Sequence, residues 1–152
     1  MKLAHPMNAA VIAYLTRTKR DSPEYATPDQ FSDAYHRAGC HPEIVERLWD
    51  QLGTVLPIDS RCLVYGIPAL VIPENGIIIG LGMGTKYGLR LPGNLAQEAL
   101  YAGAQASTKW STGETMSIGQ DLGPDWVFGA WLKSELNWCK SACDMLQSQR
   151  SP

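Results

Sequence analysis

The spacing of apolar side chains divides the chain into stretches of different texture. Up to about residue 53, apolar positions recur every three or four residues, the period of a helix with one buried face. Asn8 stands where a cap is needed ahead of Val11, Ile12 and Leu15. Thr27-Pro28-Asp29-Gln30 combines a capping threonine, proline at the first helical position and glutamine at the third. It predicts a helix that presents Phe31, Ala34, Tyr35 and Ala38 on one face and stops at Gly39. Pro42 opens a third helix, with Ile44, Val45, Leu48, Trp49 and Leu52 on a stripe and Gly53 as its end.

From Arg61 the pattern changes to β-branched and apolar runs over 62–65, 69–72, 77–83 and 87–91, broken by Gly, Pro and Asn. Pro73-Glu74-Asn75-Gly76 predicts a hairpin turn, and Pro68 an edge, a strand start or a bulge. A short helix is expected over 94–102 and a further strand over 114–118. Helical spacing returns over 131–146, with Leu132, Leu136, Cys139, Cys143 and Leu146 on one stripe. Helices, then a meander, then a helix, with no strand–helix alternation, predict an α+β fold. The expected architecture is a set of N-terminal helices, a central, mostly antiparallel sheet of four or five strands, and a C-terminal helix packed on that sheet. The whole chain, 1–152, reads as one domain, helical over about 1–53, sheet-rich over about 61–118 and closed by a helix over about 131–147. Leu48, Trp49, Ile79, Leu81, Leu89, Leu136 and Cys139 are the expected core.

The run Gly80-Leu81-Gly82-Met83-Gly84-Thr85-Lys86 places its glycines on one face of a strand, where something bulky can approach the backbone closely. An internal tryptophan is the expected neighbour. For the hairpin that follows, a two-residue loop would set Ile79 opposite Arg90 and bring charge to the buried face. A three-residue loop over 84–86 pairs Met83 with Tyr87, Leu81 with Leu89 and Ile79 with Leu91, and register normally follows the apolar face. The same run is no phosphate cradle. A dinucleotide loop leads from strand into helix, whereas Tyr87-Gly88-Leu89-Arg90-Leu91 continues as strand, and the Gly-Lys-Ser/Thr order of a P-loop is missing.

Composition narrows the function further. The 13 basic and 15 acidic residues leave a net charge of −2, so no broad basic field favours nucleic acid. The longest apolar stretch, 67–83, is cut by Pro68, Pro73, Glu74, Asn75 and Gly76, too often for a membrane span. The start Met1-Lys2-Leu3 with 9–15 imitates a signal peptide, but Thr16-Arg17-Thr18-Lys19-Arg20 is a poor cleavage region. With no Asn-x-Ser/Thr sequon and no disulfide scaffold evident among Cys40, Cys62, Cys139 and Cys143, the cytoplasm is the expected location.

His36, Cys40 and His41 with Cys139 and Cys143 have metal-binding chemistry, yet their spacing matches no common zinc site. Neither metal nor cofactor is expected. All three histidines fall within the first 41 residues, and no cysteine stands at a nucleophile elbow. The expected function is therefore a non-enzymatic protein-binding domain, of the kind an immunity or antitoxin-type inhibitor uses to cap a basic partner. Trp110, Trp126 and Trp131 near Glu114, Asp121 and Asp125, together with Arg90, are its interface candidates, since tryptophan and arginine concentrate binding energy. At least one of these tryptophans should be exposed beside an acid. The alternative is a small enzyme with an acid and aromatic cleft over 113–131, which requires a deep pocket holding a carboxylate of raised pKa.

Overall fold

The structure, a computed structural model, describes residues 3–19, 22–28, 40–106 and 122–149. Among these, four α-helices and seven strands are seen. They are α1 (Ala9–Lys19), α2 (Pro42–Glu46), α3 (Asn94–Ala102) and α4 (Ser134–Leu146), with β1 (Tyr25–Ala26), β2 (Arg61–Val64), β3 (Ile67–Val71), β4 (Ile78–Met83), β5 (Lys86–Arg90), β6 (Gln105–Ala106) and β7 (Trp126–Phe128). The strands form one antiparallel sheet in the order β1-β2-β3-β4-β5-β7-β6. The expected α+β architecture is present, with seven strands instead of four or five. The extra ones are the two-residue β1 and β6 and the three-residue β7, too short to leave a periodic signal. The helix expected after Thr27 and the strand over 114–118 fall on 29–39 and 107–121, outside the described residues. No helix among the described residues is long and apolar enough to cross a membrane.

Both faces of the sheet are covered. On one face α1 lays Val11, Tyr14 and Leu15 over Cys62, Val64, Ile67, Ala69, Val71, Ile78, Leu81, Met83, Trp126 and Phe128. On the other, Ile44, Val45, Leu48, Trp49 and Leu52 join Trp138, Cys139, Ala142, Cys143 and Leu146 of α4 over Leu63, Leu70, Ile79, Tyr87, Leu89 and Val127. Strands buried on two sides read as unbroken apolar runs. Of the expected core residues, Leu136 alone is only partly buried, packing against the cluster from its margin.

Double burial also overturns the expected hairpin register. The turn is the two-residue Gly84-Thr85, with Met83 opposite Lys86, Leu81 opposite Gly88 and Gly80 opposite Leu89. Leu81 and Leu89 therefore point to opposite sides of the sheet. With a core on each side, the apolar face gives no preference for one register. Space decides instead, because Gly80 and Gly82 stand across from Leu89 and Tyr87. A shift between Leu70 and Val71 places the bulge at Ile79, which joins the Leu89 side while Ile78 stays with α1.

The bulky neighbour of the glycine face is internal, as expected, but it is no tryptophan. A Cβ at Gly82 would lie 2.8 Å from Leu48 Cδ1, 3.0 Å from Ile44 Cγ2 and 3.1 Å from Cys40 Sγ. The helix after Pro42 thus rests on bare backbone, and it changes pitch there, passing from α2 into a π-helical turn over Arg47–Gln51 and a 3₁₀ turn over Leu52–Val55. Asn8 caps no helix with its side chain. It is fully buried, donating to Leu3 O (3.2 Å) and Gly76 O (2.7 Å) and accepting from Ile78 N (2.9 Å), and so fastens the start of α1 to the 73–76 turn.

Gly82→Val should cost about 1–3 kcal/mol in urea denaturation, the usual range for overpacking a filled core. Adding Leu48→Ala should recover part of the loss. A Gly82→Val variant as stable as the parent would show that the helix does not rest on this strand.

Candidate functional site

Two non-glycine residues among those described have positive φ, Tyr65 (+50°) in the β2–β3 turn and Trp131 between β7 and α4. Trp131 has φ +63°, a conformation that bulky side chains avoid, and it is still 49% exposed. Three buried side chains hold it there. Tyr87 Oη accepts from Trp131 N at 2.9 Å and from Arg47 Nε at 3.3 Å, and donates to Glu135 Oε1 at 2.5 Å. Arg47 Nη2 meets Glu135 Oε1 at 2.6 Å and Leu132 O at 2.7 Å, while Nη1 reaches Gln51 Oε1 at 2.9 Å. Glu135 Oε2 accepts from Ala130 N at 2.9 Å. Gly129 closes the brace, since a Cβ there would overlap the Tyr87 ring, and its N–H donates to Tyr87 O at 2.9 Å.

The electrostatics follow from this wiring. Burial alone would lower the Arg47 pKa, but its bonds to Glu135 and Tyr87 raise it above the ordinary value. Burial, then the bond to Glu135, push the Tyr87 phenol up, against a smaller opposing effect of Arg47. Arginine stays charged and tyrosine stays protonated. Both carboxylate oxygens of Glu135 are engaged by hydrogen bonds within this brace.

The indole of Trp131 packs edge-on against Tyr87 (centroids 5.4 Å apart, planes at 89°), with the Arg47 guanidinium carbon 5.4 Å from its ring centre. On its open side lies a shallow depression of about 290 Å³ lined by His41, Glu43, Ile44, Thr85 and Trp131. His41 begins α2, its Nδ1 accepting from Glu43 N at 3.1 Å, and its own N–H donates to Gly84 O at 2.7 Å. The β4–β5 turn and the start of α2 are thereby tied beside Trp131.

The sequence candidates separate. Trp131 is exposed as expected, and among the described residues the acid that lines the depression beside it is Glu43. Trp126 (1% exposed) and Arg90 (6%) are interior residues on the opposite side of the sheet, which removes them as interface positions. Arg90 stacks on Trp126 at 5.1 Å and donates from Nε to Ile78 O at 2.8 Å. Its Nη2 and Trp126 Nε1 are buried without hydrogen-bond partners. Burial lowers the Arg90 pKa to about 10, with Asp125 opposing. Asp125 is half-buried, its backbone carbonyl accepting from Leu91 N. Trp110, Glu114 and Asp121, with His36 of the metal reading, lie outside the described residues. Among the described residues no three His, Cys, Asp or Glu side chains gather as metal ligands. Cys40, Cys139 and Cys143 are buried in the α4-side core.

Arg47, Tyr87 and Glu135 were missed as site residues. Glu135 carried a signal, since it stands four residues before Cys139 on the stripe that continues through Trp138, Ala142, Cys143 and Leu146. A charge in line with core residues requires a buried partner. Compared with known protein families, curated proteins and solved structures, the chain matches none.

Glu135→Gln should cost about 3–5 kcal/mol, because it strands the buried Arg47 charge. Tyr87→Phe should cost about 1–3 kcal/mol, because Trp131 N–H and Arg47 Nε lose their acceptor. Urea denaturation of either variant at parental stability would contradict the bracing role. The thiols give a separate test. Burial pushes Cys40 and Cys139 up to about 12, so the folded chain holds these protons more tightly than the unfolded chain does. Their contribution is complete below the ordinary thiol range and is lost as pH rises from there to about 12, at up to about 1.4 kcal/mol per pH unit for each thiol. A Cys40→Ala/Cys139→Ala chain should show a flatter fall of urea midpoint above about pH 9; an unchanged slope would contradict the assignment.

Proposed function

We propose that this protein is a non-enzymatic, cytoplasmic binding domain that docks another protein on the surface around Trp131, as an immunity or antitoxin-type inhibitor caps its target. The observation that carries this reading is the half-exposed indole at φ +63°. Holding a bulky residue in that region costs on the order of 1–3 kcal/mol and persists only where surrounding structure over-determines it. Here a buried ion pair and a buried tyrosine supply that support, and its result is an aromatic side chain facing solvent. Tryptophan in such a position is what interface hot spots use. The depression beside it is open and shallow, which suits a protein surface better than a small substrate. An acidic net balance of −2 and the Glu43 carboxylate favour a basic partner over nucleic acid.

The test is quantitative capture of the partner from cell extract with tagged protein, followed by affinity measurement with the purified pair. Trp131→Ala should weaken binding at least tenfold, whereas Ile58→Ala and Tyr101→Ala, at exposed apolar positions elsewhere, should leave it unchanged. Equal affinity for Trp131→Ala and parent would overturn the reading. So would turnover of a small molecule abolished by Glu114→Gln or Asp121→Asn in a chain that captures no protein.

A further inference from the structure

We infer that the depression between α2 and Trp131 receives one arginine side chain of the partner, its guanidinium lying on the indole and its N–H groups directed at Glu43. This rests on the protein-binding reading above and adds the chemistry of the contact. The walls are an aromatic surface (Trp131), an aliphatic side chain (Ile44), a hydroxyl (Thr85), an imidazole (His41) and a single carboxylate (Glu43).

Each wall bears on the choice of ligand. His41 Nδ1 accepts from Glu43 N–H, which orients its ring along one side of the depression. The Glu43 backbone is engaged in that cap, but its carboxylate is exposed and makes no hydrogen bond or ion pair among the described residues. It is the one formal charge lining the depression. Arg47 lies close to the indole and would oppose a second cation if its own charge were uncompensated. It is 6% exposed and paired with Glu135 at 2.6 Å, so little net field from it reaches the depression. Among the described residues that line the depression no Lys or Arg is present, so an anionic ligand would face Glu43 without a lining cation.

A cation over an indole gains from the ring's negative face, and arginine does so with a flat group that leaves its edge free for hydrogen bonds. A carboxylate beside the ring can then take two parallel N–H bonds from that edge. Lysine offers the charge without the plane. Arginine is therefore the side chain for which Trp131 and Glu43 act together.

The experiment titrates the intact protein with a blocked arginine, N-acetyl-arginine amide, and follows the indole N–H signals by two-dimensional NMR. The chain has 5 tryptophans, and the Trp131 signal is identified by its disappearance in Trp131→Phe. A saturable shift of the Trp131 indole is expected, with the other indole signals unmoved. The isosteric but uncharged N-acetyl-citrulline amide should give no shift at the same concentrations, and Glu43→Gln should weaken arginine binding at least fivefold. Equal shifts with citrulline, an unmoved Trp131 signal, or full affinity in Glu43→Gln would each overturn the inference. The probe is not the partner, so the two readings fail separately. A partner that needs Trp131 but is indifferent to Glu43→Gln leaves the docking surface standing and removes the arginine.

Discussion

Arg47 and Glu135 meet at 2.6 Å across 88 residues of sequence, and the rest of the Trp131 surface depends on that contact. Removing two charges from water is expensive, and their attraction offsets the cost only where further hydrogen bonds satisfy what remains. Gln51, Leu132, Tyr87 and Ala130 provide those bonds. Two of them reach the backbone between β7 and α4, so the same atoms that make the ion pair tolerable also fix the loop. Breaking the pair would therefore release the loop as well as weaken the core. The π-helical turn that begins at Arg47 fits this picture, since an extra residue per turn re-aims side chains along a helix.

The other buried arginine shows what the first would be without its carboxylate. Among the described residues Arg90 meets one carbonyl acceptor and a tryptophan ring, and its Nη2 is buried without a hydrogen-bond partner. Its pKa falls while that of Arg47 rises. The two arginines occupy opposite faces of one sheet, and their surroundings give them opposite tendencies to shed a proton.

Much of the fold was legible from local signals. Proline marks the start of the helix after Pro42, although Gly53, expected at its end, lies inside the 3₁₀ turn that runs to Val55, and α3 occupies the residues its spacing indicates. Legibility failed where a residue's role depends on a distant element. Asn8 occupies a capping position, but its amide is used 68 and 70 residues away. Asn75 reads as a turn former, and it also donates to Leu146 O and Gln149 O at the end of α4. The hairpin register was misread because one buried face was assumed where two exist. Trp131 was placed at the start of a helix that begins at Ser134, since nothing in nearby sequence announces a tyrosine 44 residues upstream that accepts its N–H. At the site, an exposed tryptophan could be anticipated from aromatic content, but its braces could not.

The hydrogen bonds that end on Ala130 N and Trp131 N come from side chains rooted in α4 and β5. These amides are tied to buried side chains of the core, although they belong to a connecting segment, where backbone amides are ordinarily open to solvent. The backbone beneath the indole thus loses its conformational freedom on folding. On the proposed binding reading, association at this surface would carry little ordering penalty, because the backbone beneath the indole is already set.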